Sequence, residues 1–508
     1  MKVPASWADS VYIETDGPWI LPGGRLRKGE DEVGIRLTNT MSGRIEDFEP
    51  LNDGQVRMYH CGPTVYGYAH IGNYRSFLLG DLLRRLFEFH GLEVLQIMNI
   101  TDVGHMTVDT DDAGEDKMEA AAKKEGKDPY EVARYYEKAF FEDLDALGIR
   151  RAGGYPRASE HIEEMVELVS SLMDKGYAYL SDDTILFDIS KFPSYGQLSG
   201  KRIEDLQSGA GGRLSEEMLA AKRNPGDFRL WKVDSEHLLQ WDSPWGRGYP
   251  GWHLECSVMA RKYLGDTLDI HTGGEDNIFP HHESERAQIE PVTGKPFVRY
   301  WVHNRHLMCE GTKMSKSLGN CYTVRGLINE GFDPIAMRYL LLSGHYTAPL
   351  NFTKEGLKGA WECVTRIRNF VRRMEEAAAK ESSQSDGGVS GAVDTLLNDF
   401  TEAIDDDLNM SKALSHLFDF MRDVNKREPQ GEEARAAADA VKRADQMLGI
   451  LQKEPAGGDD AEIDALVDER IAARKARDFA RSDEIRDELT QRGILLEDTK
   501  DGTRWYRK

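Results

Sequence analysis

Gln55-Val56-Arg57-Met58-Tyr59-His60-Cys61-Gly62-Pro63-Thr64-Val65-Tyr66-Gly67-Tyr68-Ala69-His70-Ile71-Gly72-Asn73 decides the fold. Gln55 to His60 reads as a short strand. After the turn, Tyr74 to His90 carries Phe77, Leu78, Leu82, Leu83, Leu86 and Phe87 at helical spacing. Gly91 supplies the helix stop and Glu93 to Asn99 reads as a second strand, which makes a βαβ unit. Further on, between Met106 and Pro244, charged amphipathic helices such as Pro129 to Leu147 and Glu160 to Lys175 alternate with a strand-like run at Thr184 to Asp188. Thr267 to His271 and Arg299 to His303 then resume the α/β pattern. The expected architecture is α/β: a Rossmann-like nucleotide fold in two halves, 35–105 and 245–322, closing around an insertion at 106–244. Residues 1–34 read as an irregular extension. From Lys354 the pattern is helical throughout: a bundle at 354–453 with a flexible connection at Ala377 to Val393, a linker at Glu454 to Asp460, and a small domain at 461–508.

A chain of 508 residues, 40% hydrophobic and 30% charged, is too long for one core. No stretch approaches the ~18 to 20 apolar residues of a membrane span, and no secretory signal is visible at the start, so a cytoplasmic protein with no membrane partner is expected. Five scattered cysteines do not make a disulfide framework and leave thiols for metal. The net charge of −23 argues against a nucleic-acid partner only in part, because an RNA meets faces and not sums. From Glu469 to the end, eleven Lys and Arg face nine Asp and Glu. A solvated charged helix is the equally plain reading of that tail.

Two segments suit phosphate chemistry. His70-Ile71-Gly72-Asn73 falls where strand gives way to helix, so backbone N–H groups and the helix dipole favour an anion there. Gly72 lets a nucleotide approach the backbone, and His70 can donate to phosphate oxygens. Lys313-Met314-Ser315-Lys316-Ser317, between Gly311 and Gly319, is a loop able to close over a triphosphate; a solvated lysine loop is the bland alternative. A third set suits metal. Cys61 and Cys256 are each by default buried structural cysteines. In Phe279-Pro280-His281-His282-Glu283-Ser284-Glu285, however, helical spacing places His281 and Glu285 on one face and sends His282 elsewhere. Two thiolates, an imidazole and a carboxylate are an acceptable set for Zn²⁺.

The phosphate segments resemble the His-Ile-Gly-His and Lys-Met-Ser-Lys-Ser signatures of class I aminoacyl-tRNA synthetases. The second matches at all five positions, and the first departs at Asn73. The resemblance implies ATP binding by His70, Gly72, Asn73, Lys313 and Lys316, catalysis by His70 and Lys316, and Mg²⁺ as the companion of ATP. Met58 to Tyr66, Asn99-Ile100-Thr101-Asp102, Pro250 to Ser257 and Gly273-Gly274-Glu275-Asp276 narrow it to the cysteinyl-tRNA synthetase family.

That family implies one zinc per chain on Cys61, Cys256, His281 and Glu285. It implies Thr101, Trp252, His271 and Asp276 around the substrate cysteine. It also implies a connective insertion too short for editing, a stem-contact region at 323–353, and an anticodon-binding C-terminal domain. The activity implied is ATP-dependent joining of L-cysteine to tRNA(Cys) by a monomer. Zinc suits the selectivity problem, since pockets separate near isosteres poorly and a Zn–S bond has no serine counterpart. Phe479 and Trp505 are candidates for stacking on anticodon bases, or else core aromatics. Asp405-Asp406-Asp407-Leu408-Asn409 reads as a turn and helix cap. Two other readings remain: a ligase that gives cysteine to an amino sugar, against which the roughly 50 residues after Pro455 speak, and a non-catalytic tRNA-binding scaffold.

Overall fold

The structure is a computed structural model and describes residues 34–508, except 104–105, 109–112, 203–221, 315–319, 381–387, 452–459, 477, 493, 500–501 and 508. The extension up to residue 33, Lys316 with its neighbours Ser315, Ser317 and Gly319, and most of the linker at 454–460 lie outside the described residues.

The centre is a sheet built from β1 (Gln55–His60), β2 (Glu93–Met98), β3 (Leu268–Gly274) and β4 (Val298–Asn304). Its order is β4-β3-β1-β2 and every pairing is parallel. Helix α1 (Ile71–Phe89) crosses from β1 to β2, while α2 (His253–Leu264) and α3 (Glu283–Thr293) flank β3. A parallel sheet is covered on both faces. β3 accordingly buries six of its seven residues, Leu268 to Gly273 in succession, without the alternation of burial that a half-exposed strand would show. The strand order reverses between β1 and β3, and a crevice forms at the carboxyl ends of such a pair. Cys61 leaves β1 at that point, its N–H donating to Thr272 O at 3.3 Å.

The insertion leaves after β2. It holds helices Lys117–Glu125, Pro129–Ala146 and Ile162–Asp174 and the antiparallel strands Ala178–Ser181, Thr184–Phe187 and Phe228–Val233, to which Gly248–Pro250, just past the expected end of the insertion at 244, adds a fourth strand at the edge. Ile162–Asp174 lies against α2 and α3. Pro129–Ala146 packs Phe140 on Phe77 of α1, with ring centroids 5.1 Å apart.

Helices Lys354–Ala378, Gly388–Asp405, Met410–Arg427 and Gly431–Leu448 form the bundle, which shares one hydrophobic core with the sheet. The joint is polar. Arg338, on helix Pro334–Ser343, donates to Asp81 of α1 at 2.7 Å and to the carbonyls of Leu448 at 2.5 Å and Gly148 at 2.9 Å. Arg85 donates to Asp81 at 2.8 Å and to Gln446 O at 2.9 Å. The Asp405 to Asn409 segment does more than turn and cap. Asn409 does cap the following helix, but Asp406 also pairs with Arg36 at 2.5 Å and Asp407 accepts from Thr38 N at 2.7 Å. The strand Arg36–Asn39 is thereby tied to the bundle.

The expectation of helix from Lys354 to the end is corrected by strands Ile494–Thr499 and Gly502–Arg507, which pair as an antiparallel hairpin. Ile494-Leu495-Leu496 and Trp505-Tyr506 on either side of Asp501-Gly502 were the missed signal, since a hairpin turn favours Asp-Gly. With helices Asp460–Lys475 and Phe479–Gln491 the hairpin encloses a second, separate core of Ile463, Val467, Ile485, Leu489 and Ile494. The basic residues of this unit are largely paired: Arg481 with Glu469 at 2.9 Å and Glu484 at 2.7 Å, and Arg470 buried against Thr503. Phe479 is 62% exposed and so is not a core aromatic. Among the described residues no helix is long and apolar enough to cross a membrane.

Candidate active site and metal centre

The crevice between β1 and β3 opens as a cleft of about 400 Å³, with Cys61 and Trp252 at one end and His70, Asn73 and Met314 at the other. Its floor depends on a close approach. A Cβ on Gly62 would lie 1.7 Å from Asn99 O, so only glycine lets the turn after Cys61 pack onto the end of β2.

His70 is the N-cap of α1. Its Nδ1 accepts from Asn73 N at 3.2 Å, and Asn73 Oδ1 accepts from His70 N at 3.0 Å. Asn73, where the family signature has histidine, thus closes a reciprocal capping box. Gly72 lies beneath the His70 ring, where a Cβ would sit 3.0 Å from Nδ1. Met314, which follows strand Thr312–Lys313, lines the cleft wall as well.

At the other end, four buried donors converge. Cys61 Sγ lies 3.6 Å from Cys256 Sγ and 3.8 Å from Glu285 Oε1; His281 Nε2 lies 3.4 Å from Cys256 Sγ and 3.1 Å from Glu285 Oε1. A tetrahedral site with metal–sulfur bonds near 2.3 Å has sulfur–sulfur edges of about 3.8 Å. The cage matches that size, and the cysteines are not joined as a disulfide. Its electrostatics also call for a cation. Burial, reinforced by neighbouring Cys256 and Glu285, pushes the Cys61 thiol well up, and burial likewise raises Cys256 and Glu285. Without a metal, burial disfavours the charged form of each of these groups; a bound dication reverses that preference. The residues present therefore fit zinc.

His282 corrects the expectation that it points away. Its Nε2 lies 3.2 Å from Cys61 Sγ, and with Cys61, His271 and Glu285 it forms a second possible ligand group. The turn Ile278–His282 is π-helical, with Phe279 extended, and α3 starts only at Glu283. The wider turn brings both histidines inward. His282 Nδ1 then meets His303 Nε2 at 2.7 Å, and His303 Nδ1 meets Thr40 Oγ1 at 2.7 Å. Burial holds the His60 and His303 imidazoles down at about 3, hence neutral.

The remaining expected residues divide. Trp252 lines the cleft and stacks on His281 with centroids 4.4 Å apart. Asp276 lines it as well, 3.3 Å from His306 Nδ1. Thr101 is buried beside the cage; its hydroxyl donates to Glu255 at 2.7 Å and accepts from Asn99 Nδ2 at 3.0 Å. His271 stands behind Glu285, with Nε2 2.9 Å from Oε2 and its ring stacked on Trp301. That is the position of a group orienting a metal ligand. Glu255 and His303 were missed because each meets its partner across elements distant in sequence, Glu255 from α2 onto Thr101 and His303 from β4 onto His282. The doubled His281-His282 was the one local signal.

Comparison with known proteins agrees in each part. Residues 47–362 match the tRNA synthetases class I (C) catalytic domain, 399–452 the DALR domain, and 457–505 the cysteinyl-tRNA ligase anticodon binding domain. The fold is shared with Mycobacterium tuberculosis methionyl-tRNA synthetase bound by methionyl-adenylate, at TM-score 0.54 and 15% identity over 80% of this chain and 92% of that one. The cysteine–tRNA ligase of Caldicellulosiruptor saccharolyticus is 45% identical, covering 92% of this chain and 99% of the relative. That of Lactococcus lactis subsp. cremoris is 44% identical, covering 93% and 100%. Identity at this level, along nearly the whole of both relatives, means that the chain belongs to the cysteine–tRNA ligase family of class I aminoacyl-tRNA synthetases.

Proposed function

We propose that the chain joins L-cysteine to the 3′ end of tRNA(Cys) in two steps. The cysteine carboxylate attacks the α-phosphorus of ATP, giving cysteinyl-adenylate and pyrophosphate; a 3′-terminal ribose hydroxyl then attacks the adenylate carbonyl and AMP leaves. The observation that carries this reading is one cleft with a Cys/Cys/His/Glu cage at one end and the capped N-terminus of α1 at the other.

In this reading Cys61, Cys256, His281 and Glu285 hold one zinc, which when bound supplies a soft Lewis acid that a thiolate satisfies and a serine hydroxyl does not. Trp252 fixes the His281 ring, and His271 fixes Glu285 from behind. Thr101 and Asp276 flank the amino acid. His70, Gly72 and Asn73 receive the phosphates of ATP–Mg²⁺ at the helix N-terminus, and Lys313 and Lys316 close over them to stabilise the charge that develops at the α-phosphoryl group. Residues 35–105 and 245–322 form the catalytic domain, 106–244 the connective insertion, 323–353 the stem contact, 354–453 the bundle and 461–508 the anticodon-binding domain. The enzyme works as a cytoplasmic monomer.

Cysteine-dependent pyrophosphate exchange, followed by charging of tRNA(Cys), tests the reading. Exchange with cysteine and not serine, together with charging, is expected. Exchange without charging would remove tRNA as acceptor, and the absence of both would overturn the proposal.

The exposed Phe479 gives a separate test of the C-terminal unit. Phe479→Ala should leave thermal stability within about 0.5 kcal/mol, as for surface changes generally. Loss of a stacked base should lower kcat/KM for tRNA by about 5- to 150-fold. Unchanged charging would remove Phe479 from the RNA interface.

A further inference from the structure

Tyr68 and Tyr135 are exposed aromatics, 41% and 51% accessible, that touch each other through their hydroxyls at 2.7 Å. They come from different parts of the chain. Tyr68 lies on the cleft wall two residues before His70, whereas Tyr135 belongs to the insertion helix Pro129–Ala146. Tyr136 stands edge-on to both, with centroids 5.1 Å from Tyr68 at 86° and 5.1 Å from Tyr135 at 85°. Arg325 lies over the Tyr68 ring at 5.5 Å, its guanidinium fixed by Glu142 at 2.6 Å, Asp143 at 3.1 Å and Ala139 O at 2.9 Å. Lys127 lies over Tyr135 at 5.5 Å.

The cluster is therefore rigid and aromatic; the cations beside its rings are themselves paired, Arg325 with Glu142 and Asp143 and Lys127 with Glu125 at 2.9 Å, and Tyr68 places it on the wall of the reaction cleft. Rigid rings lose little conformational freedom when they meet a partner. Packing the insertion helix onto the catalytic fold does not require them, because Phe140 and Phe77 make that contact from within the core.

The reaction itself restricts what passes over this rim. The attacking hydroxyl belongs to the last nucleotide of tRNA, so the unpaired 3′ strand must run from the outside of the enzyme into the cleft. Unstacked bases bind exposed aromatic faces regardless of sequence. We infer that Tyr68 and Tyr135 form a stacking platform for the unpaired bases at the 3′ end of the tRNA and guide its terminal ribose toward the adenylate. The inference rests on the proposed tRNA-charging activity and adds residues that act in transfer and not in activation.

The decisive experiment separates the two half-reactions in Tyr68→Ala, Tyr135→Ala and the corresponding phenylalanine variants. Charging of tRNA(Cys) by the unaltered enzyme tests the activity on which the inference rests, so the inference is read only from the ratio of variant to unaltered protein. Each alanine variant should keep its rate and ATP dependence in cysteine-dependent pyrophosphate exchange, which needs no tRNA. Each should lower the single-turnover rate of transfer from preformed adenylate, or kcat/KM for tRNA, by about 5- to 150-fold. The phenylalanine variants, which keep the rings and lose the hydroxyl contact, should transfer almost normally. A tRNA trimmed of its unpaired 3′ nucleotides should bind alanine variants and unaltered enzyme equally. Full transfer activity in both alanine variants would overturn the inference. A raised KM for ATP in exchange would assign the rings to the adenine of ATP instead. Equal loss in both half-reactions with a lowered melting temperature would make the cluster structural.

Discussion

Cys256→Ala is expected to abolish zinc binding and to cut cysteine-dependent pyrophosphate exchange by more than a hundredfold. Removing a group that merely orients a metal ligand costs 10- to 100-fold in affinity or activity; Cys256 is itself one of four donors in the cage, 3.6 Å from Cys61 Sγ and 3.4 Å from His281 Nε2. The remaining Cys61, His281 and Glu285 would offer a three-donor site with one charge fewer. Metal content after dialysis measures the first effect and exchange the second. Full zinc retention would remove Cys256 from the site and turn attention to the alternative group of Cys61, His271, His282 and Glu285. The pH dependence has a definite sign. Burial holds the Cys61 and Cys256 thiols and the Glu285 carboxyl above their ordinary values in the metal-free cage, so loading the metal releases protons. Zinc affinity should therefore rise with pH through the neutral range and weaken as the medium becomes acid. A pH-independent affinity in a competition titration would mean that the thiols are not the ligands.

Local pattern made the first βαβ unit legible, because its strand, turn, helix and stop occur in order within Gln55 to Met98. It also made the His281 and Glu285 pairing legible, since four residues of helix suffice to bring the two together. What could not be read depends on register between distant strands. His60 faces Thr272 because β1 pairs with β3 in one particular register, and His303 meets His282 from the next strand over. The π-helical turn that brings His282 inward leaves only a doubled histidine in the sequence. The C-terminal hairpin was missed for a different reason: the helices before it set an expectation that the Asp-Gly pair in the sequence between two apolar runs should have broken. Charge counting in the same tail was also a poor guide. Among the described residues, Arg481, Arg486 and Arg492 pair with acids of the same two-helix unit, so those positive charges are partly offset locally.

The joint between the nucleotide fold and the bundle should be the most sensitive place in the molecule for stability. Arg338→Met is expected to cost about 3 to 5 kcal/mol, the usual penalty for removing one partner of a buried ion pair. Arg338 is fully buried, and its loss would leave Asp81 with Arg85 at 2.8 Å as its charged partner, beside the Arg150 N–H at 3.1 Å. It would also take a donor from the carbonyls of Leu448 and Leu147, two helix ends that meet at this one guanidinium, while the Gly148 carbonyl would keep Arg85 at 3.1 Å. Burial by itself would raise the Asp81 carboxyl; Arg338 first and Arg85 next hold it below its ordinary range. A carboxyl with a lowered folded value contributes stability above its unfolded value, near 3.9, and loses that contribution as the pH falls through the folded value. The penalty for Arg338→Met should accordingly be largest at neutral pH and shrink in acid. Urea unfolding at the two pH values measures this. Adding Asp81→Asn to Arg338→Met should recover part of the loss, because the second change removes the charge that the first left unpaired. A single-variant cost under about 1 kcal/mol, small against that penalty, would show that Asp81 is satisfied without Arg338. Strict additivity in the double variant would show that the two groups do not act as a pair, leaving the carbonyl contacts of Arg338 as the whole of its role in joining the bundle to α1.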